Sequence, residues 1–166
     1  MEYKYISKDT LEYLSLHDCI IQSTKFEKDN LTLDFEHIDV LPSHPNNPYD
    51  VAKYTGKASL IFQNCEVLKS FIYDTRFIKK SVIQVEKDAQ KVNIDIINLA
   101  TDFEVLDMKM IEKNGISYVY EFGGNCSNEL GSDFGVFILK FDMVLICWNE
   151  LINDAWFVGF NKGNNV

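Results

Sequence analysis

The sequence contains little that would serve a nucleic-acid-binding protein. Arg76 is its only arginine, and 16 lysine and arginine residues are outnumbered by 25 aspartate and glutamate residues, so the net charge is −9 at pH 7. Nucleic-acid binding needs a basic surface that replaces the counterions of phosphate. The composition therefore excludes nucleic acid as the expected partner. An acidic surface instead attracts basic partners and speeds their encounter.

Long apolar segments are missing as well. The first residues have no apolar core of signal-peptide length, and no later run reaches the roughly 18 apolar residues of a membrane helix. We therefore expect a cytoplasmic protein that does not associate with membranes. The four cysteines are widely separated and form no Cys-x-x-Cys pair, which favours reduced, mostly buried thiols over disulfides or a zinc site. They are Cys19, Cys65, Cys126 and Cys147.

Signatures of catalysis and of cofactor binding are also lacking. No serine stands in a Gly-x-Ser-x-Gly sequence, and the glycines after Phe122 do not have the spacing of a phosphate-binding loop. Cys126 has no basic neighbour in sequence that would lower its pKa. The sequence thus predicts no catalytic residue and no cofactor, and it favours a non-enzymatic protein.

What the chain does contain is a pattern of short strands. Its 166 residues suit one domain, and 46% hydrophobic and 13% aromatic residues are typical of a sheet-rich globular core. About ten strands separated by turns, together with one or two short helices, predict a mainly β fold. We expect an antiparallel two-layer sandwich or a barrel, because several strands are apolar on both faces and need a second layer.

Two hairpins are the most definite elements. Cys19 to Phe26 and Leu31 to His37 are joined by the polar turn Glu27–Asn30. Alternating residues from Leu106 onward, followed by Asn114-Gly115, predict a second hairpin rather than the helix that a capping box at Thr101 would suggest.

Other elements are predicted from shorter patterns. Capping residues from Ser7 predict a two-turn helix to Leu14, which would pack Tyr5, Leu11 and Leu14 on the body of the protein. Glycine-rich residues 123–133 indicate a flexible loop between strands. The charges from Asp74 to Lys80 predict a loop, with one helical turn in 75–80 as the alternative. Further predictions are a hairpin of Val82–Glu86 with Val92–Ile97, strands Phe134–Phe141 and Met143–Trp148 that are apolar on both faces, a last strand Trp156–Phe160, and a frayed tail in 161–166.

The stretch Asp34 to Pro48 holds all the prolines and two of the three histidines. Apolar residues alternate up to Phe35, but Ile38 and Val40 belong to the opposite parity. This change of phase predicts either a β-bulge or the rim of a sheet. The prolines then stiffen the following loop, since proline fixes φ and removes a backbone donor.

His17, His37 and Asp39 are the candidate metal ligands. If the first hairpin is in simple register, His17 and Asp18 lie near His37 to Asp39. Two imidazoles and a carboxylate can bind a divalent metal, or act as acid and base in a hydrolase. However, neighbouring strand residues point to opposite faces, and His17 and Asp18 can equally serve to cap turns.

A contact surface is the alternative interpretation of the same region. The proline-stiffened loop presents three candidate partner-binding residues, namely His44, Tyr49 and Tyr54. Aromatic residues in the second half of the chain suit an ordinary core, but they are numerous enough to line a ligand cavity or a partner surface.

Three short motifs resemble those of known proteins. They are Leu16-His17-Asp18 at the start of a strand, Trp148-Asn149-Glu150, and Ala155-Trp156. This set resembles small uncharacterised bacterial proteins, some of which are grouped with the immunity proteins of polymorphic toxin systems. The resemblance implies a cytoplasmic, β-rich protein that binds and neutralises a toxin without catalysis, and it transfers no site residue.

Overall fold

The computed structural model describes residues 2–74, 90–128 and 131–160. Within them the chain forms two antiparallel sheets, one of ten strands and one of four. A single-turn 3₁₀ helix (Leu11–Tyr13) and a short α-helix, α1 (Ile96–Ala100), complete the regular structure of these residues. The predicted mainly β, antiparallel fold with one or two short helices is confirmed.

The larger sheet takes strands from the whole described chain. They are β1 (Tyr5–Lys8), β3 (Cys19–Glu27), β4 (Asn30–Phe35), β7 (Ala58–Gln63), β8 (Glu66–Asp74), β9 (Gln90–Asn93), β10 (Phe103–Asn114), β11 (Ser117–Asn128), β12 (Gly131–Phe141) and β13 (Met143–Trp148). Their spatial order is β1-β13-β7-β4-β3-β10-β11-β12-β8-β9. The smaller sheet contains β2 (Leu14–Ser15), β5 (Asp39–Val40), β6 (Lys53–Thr55) and β14 (Leu151–Asp154), in the order β14-β6-β5-β2.

The ten-stranded sheet folds over on itself. β12 is the fifth strand beyond β7 in the sheet order, so a flat sheet would hold them about 24 Å apart at the usual strand spacing. Instead, the ring centroids of Phe62 on β7 and Phe141 on β12 are 4.8 Å apart. Phe62 also meets Phe122 on β11 at 6.1 Å. The two halves of the sheet therefore face each other across an aromatic core, as in a β-sandwich.

Both predicted hairpin turns are confirmed. Lys28 and Asp29 connect β3 to β4, and both have positive φ, at 50° and 63°. A two-residue loop of this kind matches the right-handed twist of the strands that it joins. Gly115, at φ 60°, begins the two-residue turn between β10 and β11. The choice of strands over a helix from Thr101 onward was therefore right.

The predicted N-terminal helix was wrong. Tyr5–Lys8 forms β1, which pairs with β13, and only Leu11–Tyr13 is helical. Edge-strand hydrogen bonds thus outweighed the local capping signal, because a helix of two turns is marginal without tertiary support. The predicted burial of the segment is nevertheless correct: Leu11 and Leu14 are buried, and Tyr5 stacks on Trp148.

Three other predictions need correction. The glycines at 123 and 124 lie in β11, which pairs with β12 from Tyr118↔Phe141 to Asn128↔Gly131, so the predicted loop is mostly strand. Ile96 and Ile97 belong to α1 rather than to a strand, because Asp95 caps that helix by accepting a hydrogen bond from the amide of Ile97. Residues 156–160 form turns and not a strand. Val82–Glu86, the helical turn in 75–80 and the tail in 161–166 lie outside the described residues.

Gly124 marks the closest approach between two strands. A Cβ atom there would overlap the carbonyl oxygen of Glu104 and lie 2.7 Å from the ring of Phe103. Both obstacles belong to β10, whose register with β11 shifts between Val105 and Asp107. Only glycine fits this position, because the obstructing oxygen is part of the backbone and cannot rotate away.

We predict that Gly124→Ala lowers the free energy of unfolding by about 3 kcal/mol or more, because β10 and β11 must separate locally. Gly56→Ala is the matched control. The nearest atom to its added Cβ is Oε1 of the flexible Glu150 side chain, at 3.2 Å, and we expect a change below about 1 kcal/mol. Urea unfolding followed by circular dichroism measures both. Equal stability of Gly124→Ala and the wild type would contradict the close approach.

Candidate functional site

The change of phase after Glu36 is a crossing between the two sheets. β4 ends at Phe35, and the amide of Glu36 still donates to the carbonyl of Ile20 at 3.0 Å. Two residues later the amide of Ile38 donates to Oγ1 of Thr55, also at 3.0 Å. Asp39 then pairs in β5 of the smaller sheet. Of the two predicted alternatives, a bulge or a rim, the structure shows the rim of a sheet.

This crossing places a carboxylate inside the protein. Asp39 has no exposed surface. Neither of its carboxylate oxygens has a hydrogen-bond partner among the described residues. Burial, and secondarily the nearby charge of Asp18, raises the pKa of Asp39 to about 6. Buried carboxylates are normally paired or hydrogen-bonded, so Asp39 is exceptional within this fold.

Cys19 and His37 lie beside Asp39. One ligand atom from each of these three residues lies within 4.8 Å of the other two, and we call the group the Cys19–His37–Asp39 cluster. Burial, and then the charge of Asp39, raises the pKa of the Cys19 thiol. For His37, burial lowers the pKa, and the charge of Glu36 opposes that shift only in part. A thiol, an imidazole and a carboxyl group therefore lie close together, with Cys19 and Asp39 buried and His37 half-buried.

The orientation of His37 is set by its neighbour Tyr54. The two ring centroids are 4.5 Å apart, with the rings tilted by 37°. Nδ1 of His37 is buried and has no hydrogen-bond partner in the described part of the chain. Tyr54, a candidate partner-binding residue from the sequence, thus supports the imidazole of His37.

His17, the other predicted metal ligand, lies in different surroundings. Its Nδ1 donates to the carbonyl of Leu106 at 2.7 Å, and its Nε2 is 3.5 Å from the Asp18 carboxylate. The ring is tilted against Trp156 at a centroid distance of 6.1 Å. The expected approach of the Asp18 region to Asp39 is present, but the third member of the cluster is Cys19 and not His17.

Sequence reasoning missed Cys19 because it treated every cysteine as an ordinary buried thiol. The available signal was its position at the start of β3, two residues beyond His17 in the same predicted hairpin. Pairing of Ser15 with Asp39 carries the segment before β3 alongside β5. The chain also turns sharply at Asp18, where φ is 64°, and such irregular backbone is not evident from strand periodicity.

His44 is held inside the protein. It is 1% exposed, and its ring meets the indole of Trp148 edge-on at 5.3 Å. Nδ1 accepts a hydrogen bond from the amide of Asn46 at 3.0 Å, and Nε2 is 3.1 Å from Oγ1 of Thr10. Burial lowers the pKa of His44. Its role in this fold is to join the proline loop to the core.

Tyr49 is the candidate partner-binding residue that the structure leaves accessible. Its side chain is half exposed. The ammonium group of Lys53 lies 4.2 Å above its ring, in a cation–π arrangement. Asn47 fixes the backbone before it, because its side-chain oxygen accepts a hydrogen bond from the amide of Tyr49 at 3.0 Å.

A second candidate site lies on the opposite face of β12. Residues Gly135, Phe137 and Leu139 face the main core, so the alternate residues face outward. Phe71, Val136 and Ile138 form a separate small cluster on that outer face, with Tyr73 and Val119 packed against it. The concave surface above them has a volume of about 960 Å³. We call it the outer groove, and its other lining residues include Lys69, Lys91, Asp95, Asp107, Glu121 and Phe134.

Comparison of the chain with family models, with curated proteins and with solved structures gives no match. The resemblance to immunity proteins therefore stays a prediction. In residues 2–74, 90–128 and 131–160, none of the helices has the length and apolarity that crossing a membrane requires.

We predict that His44 contributes to loss of stability in acid. Its hydrogen bond from Asn46 requires an unprotonated Nδ1, and its pKa is lowered. The folded protein thus binds this proton more weakly than the unfolded chain does, so the free energy of unfolding falls as the pH drops from about 7 to 5. Urea unfolding should show a shallower fall for His44→Gln, although that variant is less stable at pH 7.5.

The control for this measurement is Ile116→Ala, which changes an exposed side chain that does not titrate. It should keep the pH dependence of the wild type. Identical pH dependence of His44→Gln and the wild type would contradict the assignment.

We also predict that the buried carboxylate of Asp39 lowers the free energy of unfolding of the protein. In EDTA at pH 8, Asp39→Asn should be more stable than the wild type by about 1–2 kcal/mol, because it removes a buried charge without a partner. The gain should shrink as the pH falls through about 6 and should vanish only at about pH 3, where the carboxyl is protonated in the folded and the unfolded chain alike. Asp50→Asn, on the surface, should match the wild type at both pH values. A less stable Asp39→Asn protein at pH 8 would instead indicate structural bonds to the carboxylate.

Proposed function

We propose that this protein is a non-enzymatic binding module whose outer groove holds a basic segment of a partner protein. The observation that carries the proposal is that β12 packs in the main core with one face and lines the outer groove with the other. Its inner face packs in the main core, where Phe137 stacks on Phe122 at 4.8 Å. Its outer face presents Phe134, Val136 and Ile138 to a groove that stays open in the described part of the chain. Concave surfaces that combine apolar side chains with a few polar groups are typical of binding sites.

The aromatic lining supports recognition of a side chain or peptide segment. Phe134 is 41% exposed, and its ring is 6.2 Å from that of Tyr73. The ammonium of Lys91 lies 4.9 Å from the Phe71 ring and 5.4 Å from the Tyr73 ring. Because Lys91 already lies over those two rings, the partly exposed ring of Phe134 is the aromatic surface that is available to a side chain of the partner. Aromatic anchors of this type often dominate binding energy.

Charge favours a basic partner. The chain carries a net charge of −9, and the exposed carboxylates of Asp95 and Asp107 line the groove. Lys69 and Lys91 also line it, so the groove itself has mixed charge and the protein as a whole supplies the attraction. Such attraction accelerates encounter and weakens with salt.

The resemblance to immunity proteins supports a toxin as that partner, neutralised in the bacterial cytoplasm without catalysis. Two other hypotheses from the sequence have less support. A hydrolase would need His17 and His37 in one pocket, whereas His17 packs against Trp156 and His37 against Tyr54. A small-ligand carrier would need an enclosed cavity, whereas the described residues leave the outer groove open.

The proposal is tested with the immobilised full chain and the product of any toxin gene adjacent to its own. We expect a purified complex whose affinity falls as salt rises from 50 to 500 mM. Phe134→Ala should weaken binding at least about tenfold, because it removes an anchor from the groove. Surface plasmon resonance measures both effects.

The matched control is Ile116→Ala, which removes an apolar side chain that is 77% exposed at the tip of the β10–β11 hairpin. It should bind like the wild type. Equal losses in the two variants, or no binding at 50 mM salt by adjacent gene products or basic lysate proteins, would overturn the proposal.

A further inference from the structure

We infer that the Cys19–His37–Asp39 cluster is a binding site for a thiophilic divalent cation, with zinc as the expected ion. The three ligand atoms lie within 4.8 Å of one another. Around a tetrahedral zinc ion the corresponding atoms are about 3.4–3.6 Å apart. Small rotations of the side chains, which move each ligand atom by about one ångström or less, would reach that distance without moving a strand.

Three polar atoms of the cluster are buried without hydrogen-bond partners among the described residues. They are Nδ1 of His37 and both carboxylate oxygens of Asp39. Protein interiors rarely leave such atoms unsatisfied, because each costs the loss of its hydration. One cation would satisfy the imidazole and the carboxylate together. The completely buried Asp39 is the independent sign of a ligand here, since neither of its carboxylate oxygens has a hydrogen-bond partner among the described residues.

The donor set selects the class of metal. A thiolate is a soft ligand and imidazole a borderline one, a combination that suits zinc and disfavours calcium and magnesium, which prefer oxygen alone. Three protein ligands leave one tetrahedral position for water or for an atom from another molecule. The site therefore differs from the closed four-ligand sites that most structural zinc ions occupy.

Backbone contacts around the cluster hold its members in place. The two segments that supply the ligands meet through the pairing of Ser15 with Asp39. The Thr55 hydroxyl accepts the amide proton of Ile38, which stands between His37 and Asp39 in the chain. Packing of Tyr54 on His37 sets the ring plane. Supports of this kind orient ligands in protein metal sites.

The test uses the purified full chain after removal of metal with a chelator. Calorimetric titration should show one equivalent of Zn²⁺ bound, and Co²⁺ should produce a thiolate charge-transfer band in the near ultraviolet. Asp39→Asn should weaken Zn²⁺ binding at least 100-fold, as should Cys19→Ser, which should also abolish the band. Circular dichroism checks that each variant is folded, and Asp39→Asn keeps the test valid if Cys19→Ser does not fold.

Two control variants distinguish the cluster from histidine and cysteine side chains elsewhere in the protein. His17→Gln should bind Zn²⁺ like the wild type, because His17 is outside the cluster. Cys65→Ser removes another buried thiol and should keep the cobalt band. The inference is overturned if the wild type binds no stoichiometric Zn²⁺. It is equally overturned if a folded Cys19→Ser protein keeps the band, or if His17→Gln loses binding.

Discussion

The contact between Phe62 and Phe141 joins two halves of a sheet that would lie far apart if the sheet were flat. The folding-over follows from strands with large apolar side chains, because a single ten-stranded layer would leave one apolar face in water. Phe122 and Phe137 extend the contact by stacking on each other at 4.8 Å. The core, the smaller sheet and both candidate sites are positioned by this closure.

The crossing from Phe35 to Asp39 links the two sheets. β4 ends in the larger sheet at Phe35, and Asp39 pairs in the smaller sheet, where it is buried in the interior. Strand pairing there is compatible with many side chains, yet the position holds a carboxylate without a hydrogen-bond partner in the described residues. Local departures from packing rules are expected at functional sites, where binding compensates for lost stability.

Regular patterns explain the parts of the fold that were predictable. Alternation of apolar residues identified β4, β10 and β11, and runs that are apolar on both faces identified β12 and β13. Short polar or glycine-containing turns identified the two hairpins. Local signals failed where long-range pairing decided the outcome. The segment from Ser7 became an edge strand because β13 offered hydrogen bonds, and the glycines at 123 and 124 became strand because neighbouring backbones approach too closely for a side chain.

The candidate sites divide in the same way. By itself the sequence determined an acidic, mainly β chain, the hairpin that brings residues near 18 and 39 together, and the double-faced pattern of β12. Only the tertiary structure decided that Cys19 joins His37 and Asp39, that His44 is internal, and that the outer face of β12 lines a groove. These outcomes depend on burial and on contacts between distant segments, which the period of a strand does not encode.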